Sequence, residues 1–176
     1  MGAQASTASF EGDVPNLSYQ KPHGYGLWDG AVQSFRLEST SALSRFRIRH
    51  AETGKYLNLD GDNNGILDDN GIYFSVHTPG DIYNPNGLNA HALRVESGPR
   101  TGAYLRHSGM VVHGNPWEGN NYDFSWVFVD RQDDGSFTMF NYYGSDSQLT
   151  LPGYFLNYAN NYVQIFQTAA RWAAVA

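Results

Sequence analysis

One pattern recurs three times along the 176-residue chain, and a recurrence of this period restricts the fold more than any single motif. FRIRH from Phe46 alternates apolar and polar residues and leads to TGKYL, Thr53 to Leu57. ALRVE from Ala92 leads in the same way to TGAYL, Thr101 to Leu105. A fainter third pass runs from FTMFN at Phe137 to SQLTL around Leu149. Each pass then meets a glycine and a short apolar run, at the evenly spaced Gly65, Gly109 and Gly153. Each closes on an aromatic with a valine three places on: Tyr73 and Val76, Trp126 and Val129, Trp172 and Val175.

Alternation with period two, punctuated by Gly, Asn, Asp and Pro, reads as short strands and turns. Helical periodicity has one contender, Leu43 to Arg49, and the Phe-x-Ile alternation inside it favours strand. Three passes of four strands predict an all-β fold, a β-trefoil with pseudo-threefold symmetry. Propeller blades have a similar period, but three blades are too few to close a ring. Closure of a barrel removes the exposed strand edges. Leu57, Leu105, Leu149 and the closing aromatics are then core residues, because periodic apolar positions face inward. The expected trefoil spans 46–176, with repeats of about 46–91, 92–136 and 137–176. Residues 1–45, which include Trp28 and the strand-like VQSFRLEST, lie outside the pattern. They are too short to bury a core of their own and read as an N-terminal arm packed on the barrel.

Composition agrees with strands and turns: 15% aromatic, 16% charged, with 12 Tyr and 19 Gly. The chain has no Cys, so neither a disulfide framework nor a thiolate metal site is available. A formal charge of −6 argues against nucleic acid or an anionic membrane as the main partner. No apolar run is long enough to span a bilayer. The start MGAQAS matches a myristoylation pattern at Gly2 and Ser6, although a plain small-residue start accounts for it. With no basic-then-apolar leader in view, a cytoplasmic or non-classically released protein is the expectation.

DGDNNGILDD, Asp60 to Asp69, resembles a calcium loop at first sight. Asp60, Asp62, Asn64 and Asp68 offer oxygens, and Gly65 sits where such a loop bends. The twelfth position is Gly71, where a bidentate carboxylate is required. The repeats favour a turn joining Tyr56-Leu57 to Gly65-Ile66-Leu67. Repeat two makes this connection with His107-Ser108, and repeat one inserts about four polar residues. No metal or other cofactor is expected.

The chain has no GxSxG, HExxH, P-loop or GxGxxG-helix motif, and its six histidines are dispersed, so no enzyme is expected. What abounds is aromatic residues beside amides and carboxylates on predicted loops: HGNPWEGNNY from His113, NYYGSD from Asn141 and NYANNY from Asn157. Sugars present apolar C–H faces and dense hydroxyls, which an aromatic plate and planar polar groups match. Ordinary turn chemistry also explains these clusters.

VQIF from Val163 and ARW from Ala170 resemble the strand and Gln-x-Trp signature of ricin-type β-trefoil lectins. Ala170 stands where that signature has Gln, and Phe124 holds the matching place before Trp126. YLRHSG at Tyr104 resembles an arabinose-binding trefoil module, and GKYL at Gly54 resembles the fascin and hisactophilin trefoils. The resemblance implies a non-catalytic, multivalent carbohydrate-binding lectin whose partners are glycans, with shallow sites on one or more repeats. In repeat three the implied contacts are Asp146, Tyr158, Asn161 and Phe166; in repeat two they are His107, Trp117 and Asn120. A homodimer fits this reading. The alternatives are a protein- or actin-binding module of the fascin type and a protease inhibitor, since trefoils host all three.

Overall fold

The computed structural model describes residues 34–35, 37, 44–84, 89–141 and 154–176. Thirteen strands follow in order: β1 (Ser34–Phe35), β2 (Arg47–His50), β3 (Tyr56–Leu59), β4 (Gly65–Asp68), β5 (Phe74–His77), β6 (Ala92–Val95), β7 (Tyr104–Ser108), β8 (Val111–Asn115), β9 (Trp126–Val129), β10 (Thr138–Asn141), β11 (Tyr154–Ala159), β12 (Tyr162–Phe166) and β13 (Trp172–Val175). One 3-10 turn, Tyr122–Phe124, is the only helix among the described residues. Repeat one is β2 to β5, repeat two β6 to β9 and repeat three β10 to β13.

The first and fourth strands of each repeat close a six-stranded barrel. Antiparallel ladders join consecutive repeats: β5 to β6, β9 to β10, and β13 back to β2. Within each repeat the closure is a single bridge: Phe46 with Phe74, His91 with Trp126, and Phe137 with Trp172. Every bridge is a reciprocal pair of backbone hydrogen bonds of 2.7–3.0 Å. Alternation does the rest: in β2, Ile48 and His50 point inward while Arg49 is exposed. The core unites Phe46, Ile48, Leu57, Phe74, Leu93, Leu105, Trp126, Phe137, Leu156 and Trp172. The fold is the expected all-β trefoil.

The second and third strands of each repeat form the hairpins β3–β4, β7–β8 and β11–β12, which cap one end of the barrel. Their turns differ. Gly109 and Met110 make the second, with Gly109 at φ 66°, and Asn160 and Asn161 make the third, at φ 55° and 72°. Asn and Gly tolerate this left-handed backbone. The first turn is longer, Asp60 to Asn64.

Three details of the sequence reading change. The evenly spaced glycines are not equivalent. Gly65 begins β4 and meets Val112 and Val163 of the other hairpins, whereas Gly109 lies in a turn. Gly153 is outside the described residues, and it precedes β11, a second strand, so its counterparts in the chain are Gly54 and Gly102. Leu149 also lies outside the described residues. Leu156, fully buried in β11, occupies the position of Leu57 and Leu105. In repeat one the closing aromatic is Phe74 and not Tyr73, which is only partly buried. The myristoylation pattern and most of the expected arm fall outside the described residues; from the arm's span, β1 pairs with β9.

Gly65 is where the three hairpins approach most closely. A Cβ there would come within 2.4 Å of Val112 Cγ2 and 3.0 Å of the Val163 Cβ. Gly65→Ala is therefore expected to destabilise the fold by about 1–3 kcal/mol, as overpacking does. The neighbouring Gly61→Ala, with open space around it, should be nearly neutral. Denaturant titration of both variants checks this.

Candidate functional site

The aromatic loop of repeat two leaves β8 at Asn115 and returns through the 3-10 turn to β9. Pro116 and Trp117 open it, Gly119 takes φ 72°, and the Asn121 side chain caps the turn by accepting from Asp123 N at 2.9 Å. Trp117 is half-buried. Its ring tilts against Tyr104 and Phe124, each with a centroid separation of 5.2 Å. Its indole N–H donates to the Asp81 carboxylate at 3.3 Å. His77 meets Tyr104 edge-on at 5.9 Å and extends the aromatic floor. Glu118 and Asn120 stand exposed at the rim.

Beneath the loop lies a charged cluster. Asp123 takes the Arg106 guanidinium on one oxygen and His107 Nε2, at 2.8 Å, on the other. The second nitrogen of His107 lies 3.1 Å from the Gly109 carbonyl. Arg106 also stacks over Phe124 at 5.2 Å and reaches Glu118 at 3.5 Å. Burial pushes the His107 pKa down; the Asp123 charge and the Gly109 carbonyl oppose that shift. His50 behaves alike, its pKa lowered by burial and partly held up by Glu52.

The residues expected to bind sugar fall into three situations. Trp117 and Asn120 share the loop. His107 sits beside it but is buried at 2% exposure, so it holds the loop's Asp123 and touches no external ligand. The repeat-three set is not brought together. Tyr158 shares the inward parity of Leu156 and packs near His50 at 5.8 Å. Phe166 points the other way, since Val163 and Ile165 of β12 face inward. It lines an open cleft of about 260 Å3 with Met110, Tyr154, Gln167 and Thr168. Asn161 is exposed in the hairpin turn, and Asp146 lies outside the described residues.

Sequence reasoning missed Asp81, Tyr104, Arg106 and Asp123. Tyr104 belongs to the repeated TGAYL and was absorbed by the core pattern. Asp81 comes from the preceding repeat, and no local signal couples it to Trp117.

Asp60 to Asn64 form a closed polar turn. Asp60 Oδ1 accepts from Asp62 N and Asn64 N, both at 2.9 Å. Arg100 donates to the carbonyls of Asp60 and Gly61. Asn63 pairs with the Gly114 backbone through both its amide atoms. The Asp68 oxygens take Asn70 N, Gly71 N and the Asn58 side chain. One Asp60 oxygen and both Asp68 oxygens are thus committed to N–H groups, and the Arg100 guanidinium takes two of the turn's carbonyls.

No protein-family model matches the sequence, and no curated protein matches it significantly. Several solved structures share the fold. Lysenin in complex with phosphocholine aligns at a TM-score of 0.58 and 14% identity, over 81% of this chain and 47% of that one. A GlcNAcα1-4Gal-releasing endo-β-galactosidase from Clostridium perfringens aligns at 0.56 and 15%, over 76% and 32%. The BEL β-trefoil aligns at 0.51 and 18%, over 78% of this chain and 97% of that one. The present chain thus covers under half of the first two proteins and nearly all of the third.

Two outcomes follow. Chelation with EDTA is expected to leave the melting temperature unchanged to within a degree, and excess calcium should not raise it. A tight site would stabilise by several kcal/mol at saturating metal. The second concerns acid. His50 and His107 have folded-state pKa values below the ordinary 6.5, so the unfolded chain takes up protons first. Their contribution to stability is complete above about pH 7 and is lost as pH falls below about 6.5. Melting at pH 7.5, 6 and 5 should show this decline, and His50→Gln with His107→Gln should flatten it.

Proposed function

We propose that the protein is a carbohydrate-binding lectin, acting without catalysis through the repeat-two face around Trp117. The observation that carries the reading is the loop itself. An indole is fixed on two aromatic rings and a carboxylate, and a rim of Glu118 and Asn120 stands beside it. A fixed aromatic plate binds the C–H face of a sugar at low entropic cost, and rim carboxylates and amides accept and donate to its hydroxyls. The fold neighbours support the reading by analogy: one is in complex with phosphocholine, and another is an enzyme named for a glycan it releases. Sites of this kind are shallow and individually weak, so presentation of several sites or several ligand copies strengthens capture.

The test is a glycan array with wild type, Trp117→Ala and Asn120→Ala. Wild type should retain a defined group of neutral glycans. Trp117→Ala should lose them, with a stability cost of about 2 kcal/mol, below that of a fully buried Trp. Asn120→Ala is exposed and should change stability by no more than about 0.5 kcal/mol while weakening binding. A wild-type protein that retains no glycan, or a folded Trp117→Ala that binds as before, would refute the proposal.

A further inference from the structure

The outer face of β2 carries an arrangement found in no other repeat. Arg45, Arg47 and Arg49 alternate with the buried Phe46, Ile48 and His50, so the three guanidinium groups lie on one side of the strand. Two tyrosines are interleaved with them. Arg45 lies over Tyr73 at 5.1 Å, Arg47 over the same ring at 5.6 Å and over Tyr56 at 4.1 Å, and Tyr56 pairs across the ladder with Arg49. The result is a ladder of arginine, tyrosine, arginine, tyrosine, arginine. It runs about 13 Å along the strand at the usual rise per residue.

The threefold supplies an internal control. The bridges make Phe46, His91 and Phe137 equivalent. The counterparts of Arg45 are then Ala90 and Ser136, and those of Arg47 are Ala92 and Thr138; all four are buried. Arg49 corresponds to Arg94 and to the buried Phe140. In repeats two and three this outer face is covered by a second apolar cluster containing Ala90, Val127, Val129, Phe140 and Phe155. The barrel therefore does not require cations at these positions.

The ladder is held from behind by main-chain oxygens. Arg45 donates to the Glu96 carbonyl, and Arg47 to the Asn70 carbonyl and a carboxylate oxygen of the C-terminal residue, Ala176. Among the described residues no side-chain carboxylate pairs with any of the three, whereas Arg94, Arg106 and Arg171 each have one. Asp68 is engaged with backbone N–H groups, and Glu96 with Arg94 and Ser75. Stacking on tyrosine presets the guanidinium groups of Arg45 and Arg47, so little freedom is lost when their outer N–H groups meet oxyanions. This is a concentrated positive strip on a chain whose net charge is −6.

We infer that this strip binds an anionic glycan chain, one bearing sulfate or carboxylate groups along its length. The choice of a glycan rests on the lectin reading; the strip itself is on a different strand from Trp117. Each arginine offers a planar pair of donors to a sulfate or carboxylate, and the interleaved phenols offer hydroxyls to the sugar between.

The test uses a heparin-derived octasaccharide and its desulfated counterpart, titrated into wild type, Arg45→Ala/Arg49→Ala and Trp117→Ala at several salt concentrations. Wild type should bind the sulfated probe and not the desulfated one. The double variant, which spares the packed Arg47, should keep the wild-type melting temperature and lose at least tenfold in affinity. Its dependence of log Kd on log salt should be shallower by about one for each arginine removed. Trp117→Ala should bind the sulfated probe as wild type does, so loss of the neutral-glycan site and loss of the strip are separable results. No binding of the sulfated probe by wild type at low salt, or unchanged binding by the double variant, would overturn the proposal. So would a single-stranded oligonucleotide that competes more tightly than the octasaccharide.

Discussion

Three pairs of backbone hydrogen bonds close this barrel, and the residue at each closing position is an aromatic. Phe74, Trp126 and Trp172 each exchange two bonds with the residue that precedes the first strand of their own repeat. Each also fills the core completely. A buried indole N–H without an acceptor would carry a substantial desolvation penalty. Trp126 donates to the Leu105 carbonyl and Trp172 to the Leu156 carbonyl, both at 3.1 Å. Those carbonyls belong to the second strand of the same repeat, so one side chain closes the barrel, fills the core and ties on the cap hairpin. Phe74 has no N–H to offer, and in repeat one the Leu57 carbonyl takes the Ile72 backbone N–H at 3.1 Å instead. The repeats diverge in sequence but keep this carbonyl satisfied.

The fold was legible because its period is set by burial. FRIRH and ALRVE alternate as the barrel demands, and TGKYL and TGAYL mark the return strands. The third repeat was harder because its second strand begins at Tyr154, in PGYFL, after a longer connection than in the other two. Even spacing of Gly65, Gly109 and Gly153 was then a coincidence of loop lengths. Each glycine answers a different constraint: close approach of the hairpins at Gly65, and a left-handed turn at Gly109. Tyr73 was preferred to Phe74 because both are aromatic and adjacent, and only the bridge with Phe46 separates core from surface. The site was legible as a cluster of residue types and not as a geometry. Parity sends Tyr158 inward and Phe166 outward, and that parity depends on a register that the sequence leaves open.

Where three repeats share one scaffold, function is written in the positions they do not share. The Trp117 loop has no counterpart in length or composition in repeat one, where β4 and β5 are joined around Asp68 and Gly71. Arg45 and Arg47 have small, buried counterparts in both other repeats, and Arg49 has the buried Phe140 as its counterpart in repeat three. Both features lie outside the set of positions that the barrel and its cap constrain, so neither is needed for closure or packing.

The support beneath the Trp117 loop follows the same logic at a buried position. Pairing in the hairpins makes Leu59, His107 and Tyr158 equivalent, opposite Gly65, Val112 and Val163. The fold accepts a leucine at this place. A histidine there introduces two ring nitrogens that need partners, and a buried ionic group is a weak source of stability. The N–H of the neutral ring has an acceptor on either side, Asp123 or the Gly109 carbonyl according to tautomer, and Asp123 in turn receives Arg106. What this arrangement gains is position: Asp123 sits in the 3-10 turn that returns the aromatic loop to β9, and Arg106 reaches both Asp123 and Glu118 from β7. The Arg106–Asp123 ion pair, with His107 against it, joins the turn to the strand. The loop carrying the indole is thereby anchored to the hairpin strand under it, which is the preorganisation that the proposed sugar-binding role would require.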